Sequence, residues 1–105
     1  MKTVITSTGN NENTNFDLRF GRAAWFCLFD EENRSLTFHE NDQDNAQGGA
    51  GTKAAEKMIE LGVEKVISGD FGPKAKDLLE RFNIQMVILQ DEGSTIRELV
   101  DKIIK

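Results

Sequence analysis

Two stretches of the chain hold groups whose types and spacing could do chemistry. In FDLRFGRAAWF, residues 16–26, Asp17, Arg19 and Arg22 stand among Phe16, Phe20 and Trp25, with Gly21 allowing a turn. Two guanidiniums so placed offer rigid, fork-shaped donors to an anion. The same residues also suit a plainer role, in which Asp17 pairs with an arginine to pin the segment while the aromatic rings complete the core. In NAQGGAGTKAAEKM, residues 45–58, Gly48, Gly49 and Gly51 precede an alanine-rich helical pattern. A glycine turn entering a helix holds anionic groups on backbone N–H donors. Gly49-Ala50-Gly51-Thr52-Lys53-Ala54 also satisfies G-x-G-x-x-G/A, and Asp70 follows at about the distance of a ribose-binding acid, some 20 residues on. A dinucleotide turn leaves an apolar strand directly, however, and here NDQDNAQ intervenes. A phosphate loop fails too, because Thr52 follows the second glycine where Gly-Lys-Ser/Thr is needed. A connector that merely ends in a helix start is the alternative.

The remaining inventory is thin. Cys27 is the single cysteine, which excludes an intrachain disulfide and any CxxC motif. Lying between Phe26 and Leu28, it reads as a small core hydrophobe rather than a thiolate ligand. His39 is the single histidine, which excludes HExxH and paired-histidine zinc sites within one chain. As a neutral imidazole it is a candidate metal ligand, with a hydrogen-bonded surface residue as the alternative. A metal centre held here would have to arrive preassembled or be shared between chains. The net charge of −5 argues against nucleic acid, which needs a concentrated basic face. No apolar run approaches the roughly 20 residues of a membrane span, and MKTVITSTGNN is too briefly apolar for a signal peptide. A cytoplasmic protein is expected.

These groups need elements to position them. KTVIT (2–6) predicts a first strand, followed by a long Asn-, Gly- and Thr-rich loop over 7–23 of the kind that is functional or mobile. AWFCLFD (24–30) is apolar on both faces and predicts a covered strand. EENR turns into SLTFHEN, a third strand with Leu36 and Phe38 on its apolar side. Ala54, Ala55, Met58 and Ile59 predict a helix after Gly51 with Gly62 as its stop. VEKVIS and IQMVIL are further strands. Between them Pro73 opens a helix with Ala75, Leu78, Leu79 and Phe82 as its apolar stripe. The last helix starts near Thr95, whose spacing to Glu98 makes a capping box.

The order βββαβαβα over one domain, 1–105, predicts an α/β fold: a three-layer α/β/α arrangement with a five-stranded mixed sheet in the order 3-2-1-4-5, a ribonuclease-H-like topology. In that order the segments 7–23, 40–51, 68–73 and 90–94 share one edge, together with three helix N-termini. The strand order reverses there, where open α/β sheets form ligand crevices. A two-metal nuclease is excluded on residues: KTVIT has no acid, and the fourth strand offers only Asp70 at its tip.

DLRFGRAAWF, ENDQDNAQGGAG, ISGDFGPKA and EGSTIREL together resemble the dinitrogenase iron–molybdenum cofactor biosynthesis family, which includes NifX-type carriers and the C-terminal domain of NifB-type proteins. The resemblance spans nearly the whole chain. It implies a ribonuclease-H-like domain and transient binding of an iron–sulfur- or iron–molybdenum-type cluster, or its precursor. Carried over by residue, it implicates Asp17, Arg19, Phe20, Gly21 and Arg22, then Gly48, Gly49, Ala50 and Gly51, then Gly69, Gly72 and Pro73. The expected function is a non-enzymatic carrier of a metallocofactor or other anionic small ligand, with a biosynthetic protein as a further partner. A nucleotide- or small-molecule-binding enzyme and a protein–protein adaptor using the same edge are the alternatives.

Overall fold

Strand β1 (Lys2–Ser7) lies at the middle of the sheet because both of its faces can be buried. Val4 points into one core and Ile5 into the other, and residues 3–7 are all inaccessible to solvent. β2 (Trp25–Asp30) runs antiparallel to it, with Cys27 opposite Ile5, and β3 (Ser35–Glu40) runs antiparallel to β2. β4 (Lys65–Ser68) joins the other side of β1 in parallel, and β5 (Gln85–Ile88) follows in parallel. The order is β3-β2-β1-β4-β5, as the sequence predicts. The computed structural model describes residues 1–42 and 49–103, so Gly48 lies outside the described residues.

Three helices complete an α/β fold. α1 (Ala50–Leu61) and α2 (Pro73–Arg81) cover one face, where Ala54, Ala55, Met58, Ala75 and Leu79 close over Val4, Phe26 and Val66. α3 (Ile96–Ile103) covers the other, where Ile96, Leu99 and Val100 meet Ile5, Cys27, Phe29 and Ile67. Burying each Val, Leu, Ile, Met or Phe side chain among these contributes roughly 1.5–3 kcal/mol, so these two apolar layers hold the sheet between them.

Two expectations are corrected. α1 starts at Ala50 with Gly49 as its N-cap, two residues before the expected start, so Gly51 belongs to the first turn. Phe82 is not on the apolar stripe of α2. The helix stops at Arg81, and Phe82, its C-cap, is 53% exposed while Ile84 fills the core position instead. Within the long segment 7–23, isolated bridges tie Ser7 to Phe16, Asn15 to Thr95 and Arg19 to Asp70.

Candidate functional site

The C-terminal ends of β1 and β4 carry the supports of the site. Thr6 is fully buried; its hydroxyl donates to the Asp17 carbonyl at 2.5 Å and contacts Ser68 Oγ at 2.9 Å. Asp17 N–H donates back to the Thr6 carbonyl at 2.9 Å, and Phe20 N–H to the Asp70 carbonyl at 3.1 Å. Residues 16–23 thus form a strap across the sheet edge. Phe16 and Leu18 enter the α3-side core, then Phe20 and Ala23 enter the opposite one. Asn41 secures the far end by donating from Nδ2 to the carbonyls of Gly21 (3.1 Å) and Ala23 (2.8 Å).

Two glycines let the strap lie close. A Cβ at Gly21 would stand 2.8 Å from Gly51 N and 2.9 Å from Gly51 Cα, and one at Gly69 would stand 2.8 Å from the Leu18 carbonyl oxygen. Both obstacles are backbone and cannot swing away, so only glycine permits this approach. The strap consequently meets the first turn of α1, and the two border a cleft of about 320 Å³ lined by residues 19–22, 49–51 and 70–72.

The electrostatics of this cleft come from helix ends and guanidiniums. Lys53 N–H makes the first intrahelical bond of α1, to Gly49 O at 2.9 Å, and Lys76 N–H the first of α2, to Gly72 O at 3.0 Å. The amides of residues 50–52 and of Lys74 and Ala75 therefore have no partner within their helices. Among the described residues, neither helix has a side-chain cap at its N-cap position or an acid in its first turn, so both present positive dipole ends. Arg19 and Arg22 add full charges from the strap. Asp70 is the counterweight: it also lines the cleft, and its Oδ1 accepts from Gly72 N–H at 3.3 Å. A neighbouring cleft of about 230 Å³ shares Gly49, Gly51, Phe71 and Gly72 and adds Thr52, Pro73, Lys74 and Ala75.

The expected site residues therefore take different places. Arg19, Gly21, Arg22, Gly49, Ala50, Gly51 and Gly72 converge on the first cleft, and Pro73 joins at its neighbour. Phe20 borders the cleft, but its ring is 1% exposed and packs against Phe26 and Phe71 at centroid distances of 6.0 and 5.2 Å. It is a core residue that anchors the strap. Asp17 lies behind Arg19, in a separate cleft of about 400 Å³ with Thr8, Asn15, Phe16, Leu18 and Glu92. Asp70, Phe71, Thr52, Lys74 and Ala75 are the lining residues absent from the expected set. For Asp70, Phe71 and Lys74 the signal is the turn GDFGPK itself, a strand end and a helix start only a few residues apart.

The candidate metal ligand His39 and the single cysteine do not line this cleft. His39 is on β3 opposite Phe26, with its Nε2 3.1 Å from Thr37 Oγ1. Partial burial, and then the charge of Lys57, push its pKa down, which keeps the imidazole neutral near pH 7. Cys27 is buried among apolar side chains, and desolvation, reinforced by Glu12, lifts its thiol to about 12. It stays protonated and is no ligand in this state. Among the described residues, no group of three or more His, Cys, Asp and Glu gathers to hold a metal ion.

The third helix end at this edge is closed. Thr95 N–H donates to Glu98 Oε1 at 2.9 Å, and Glu98 N–H to Thr95 Oγ1 at 3.2 Å, the capping box that the sequence predicts. Phe16 N–H reaches Ser94 O at 2.9 Å, and Arg97 pairs with Glu12, which precedes the strap. α3 is thus satisfied by its own chain and contributes nothing to the cleft.

A mixed α/β sheet of this order, with a strap and two helix N-termini bordering a cleft at its switch point, defines a small α/β protein with its cleft where open sheets of this class form ligand crevices. The chain belongs to the dinitrogenase iron–molybdenum cofactor family, which matches it over residues 1–105. No curated protein matches it in sequence. Among solved structures it is similar to the orange protein of Desulfovibrio gigas in its apo form, at 30% identity and a TM-score of 0.88, covering 97% of this chain and 85% of that one. It is also similar to a Thermotoga protein described as a NifB candidate of the DUF35 family. That match has 27% identity, a TM-score of 0.80, and 97% and 85% coverage. No helix among the described residues is long and apolar enough to cross a membrane.

Proposed function

We propose that the protein is a non-enzymatic, cytoplasmic carrier that takes an anionic metal–sulfur cluster, or a precursor of the iron–molybdenum cofactor, as cargo in the cleft between the strap and the first turns of α1 and α2. The observation that carries this reading is the convergence of Arg19 and Arg22 with two helix N-termini that have glycine N-caps and no acid in the first turn. The family match gives the chemical class of cargo its direction.

The donor set fits such cargo in one particular way. Backbone amides and guanidiniums bind the outer sulfur or oxygen atoms of an anion by charge-assisted hydrogen bonds. They do not replace ligands on a metal, and among the described residues the cleft lining contains no Cys or His. A cluster held by its surface is released without breaking metal–ligand bonds, which suits a protein that hands its cargo on. Asp70 in the same lining opposes the positive groups and keeps the hold moderate.

The test is anaerobic incubation of the protein with a synthetic, anionic 4Fe–4S thiolate cluster, followed by gel filtration. The wild type is expected to co-elute with charge-transfer absorbance, and the Arg19→Ala/Arg22→Ala variant to lose it. No co-elution, or equal co-elution by the double variant, would overturn the reading.

A further inference from the structure

Asp17 and Arg19 are an asymmetric pair. The Asp17 side chain is only 4% exposed, while that of Arg19 is 65% exposed. The carboxylate accepts three hydrogen bonds from Arg19: from its backbone N–H at 3.0 Å and Nε at 3.2 Å on Oδ1, and from Nη2 at 3.2 Å on Oδ2. Asp17 itself cannot follow the arginine outward, because its backbone is bonded in both directions to the buried Thr6. The Arg19 side chain borders both clefts, with Asp17 on the side away from the glycine turns. A guanidinium is planar, so engaging its Nε–Nη2 edge turns the Nη1 edge away from the carboxylate.

We propose that Asp17 is a positioning residue and built-in counter-ion for Arg19. It fixes the guanidinium as the ridge of the cargo cleft and offsets part of its charge, so that anionic cargo is held loosely enough to be passed on. This deepens the reading of that cleft as an anion site and rests on it. The mechanism is electrostatic: the cargo and the Asp17 carboxylate draw on the same cation from opposite edges. A neutral residue at position 17 removes that competition for the cation.

The decisive variant is Asp17→Asn, which removes the charge and keeps an oxygen to accept from the Arg19 backbone. Affinity for the synthetic 4Fe–4S thiolate cluster is read from its charge-transfer absorbance in the wild type, Asp17→Asn, Arg19→Ala and the double variant. Asp17→Asn tightens binding about two- to five-fold, the scale of an exposed ion pair. The same change has no effect once Arg19 is alanine. Weaker binding by Asp17→Asn, or equal tightening in both backgrounds, overturns the inference.

A readout without cargo separates this inference from the proposed function. Phenylglyoxal attacks the unprotonated guanidinium, so the paired Arg19 is modified more slowly than the exposed Arg34 in the wild type, and faster in Asp17→Asn, as followed by peptide mass spectrometry. Equal rates at Arg19 and Arg34 in the wild type overturn the inference even if Asp17→Asn does not fold. An unchanged Arg19 rate in a folded Asp17→Asn variant overturns it too. Faster modification together with a wild type that binds no cluster retires the proposed cargo and leaves the hold of Asp17 on Arg19 standing.

Discussion

The two ends of one sheet edge solve the same problem in opposite ways. Every α-helix leaves its first amides without internal partners. At α3 the chain satisfies them with its own side chains: Thr95 and Glu98 cap reciprocally, and Glu98 places a negative charge in the first turn. At α1 and α2 the N-caps are Gly49 and Gly72, which have no side chain to offer, and no acid follows. The first solution stabilises the fold and leaves nothing for a ligand. The second gives up only about a few tenths of a kcal/mol of capping per helix, because glycine is itself a tolerated N-cap, and leaves donors directed at a cleft. A helix N-terminus therefore points to a ligand only where the chain has declined to cap it, and at this edge the strap brings two arginines to those same ends.

The largest way to break this contrast is Gly21→Ala. The new methyl meets the backbone of Gly51 at 2.8–2.9 Å. Forcing the strap off α1 is expected to destabilise the fold by about 1–3 kcal/mol and to abolish cluster retention. Thermal melting and cluster co-elution check both effects; a variant unchanged in both removes the strap from the site. Next comes Thr95→Ala at the closed end. Loss of the capping box lowers stability by about 1 kcal/mol, seen as a lower Tm, while cluster retention stays at the wild-type level. A fall in retention would make α3 part of the site. The smallest effect sharpens the contrast by making the open end resemble the closed one. Thr52→Glu puts an acid in the first turn of α1, which favours the helix by about 0.3–1 kcal/mol while repelling anionic cargo. Tm is expected to rise slightly as retention falls, and a parallel rise in both would count against an anion site.

Much of this was legible in local pattern. The strands and helices follow from apolar spacing. The Pro73 start and Gly62 stop follow from their backbone preferences, and the Thr95–Glu98 box from a three-residue interval; all stand in the structure. The sheet order followed from the succession of elements. Phe82 shows the limit of periodicity: its spacing fits the stripe of α2, yet the helix ends one residue earlier and the ring turns outward. Phe20 shows another limit. An aromatic residue between two arginines looks like part of a ligand pocket, and only the packing of Phe26 and Phe71 around it reveals an anchor.

By itself, the sequence determined the α/β fold, the edge at which loops and helix starts collect, and the residue types available there, because these depend on intervals of a few residues along the chain. Tertiary structure alone decided which of those residues meet. Bonds from Thr6, Asn41 and Asp70 draw residues 16–23 into a strap, Gly21 lets it touch α1, and Asp17 is turned behind Arg19 rather than toward the cleft. These contacts join positions tens of residues apart, and their distances are set by backbone packing that no interval in the sequence records.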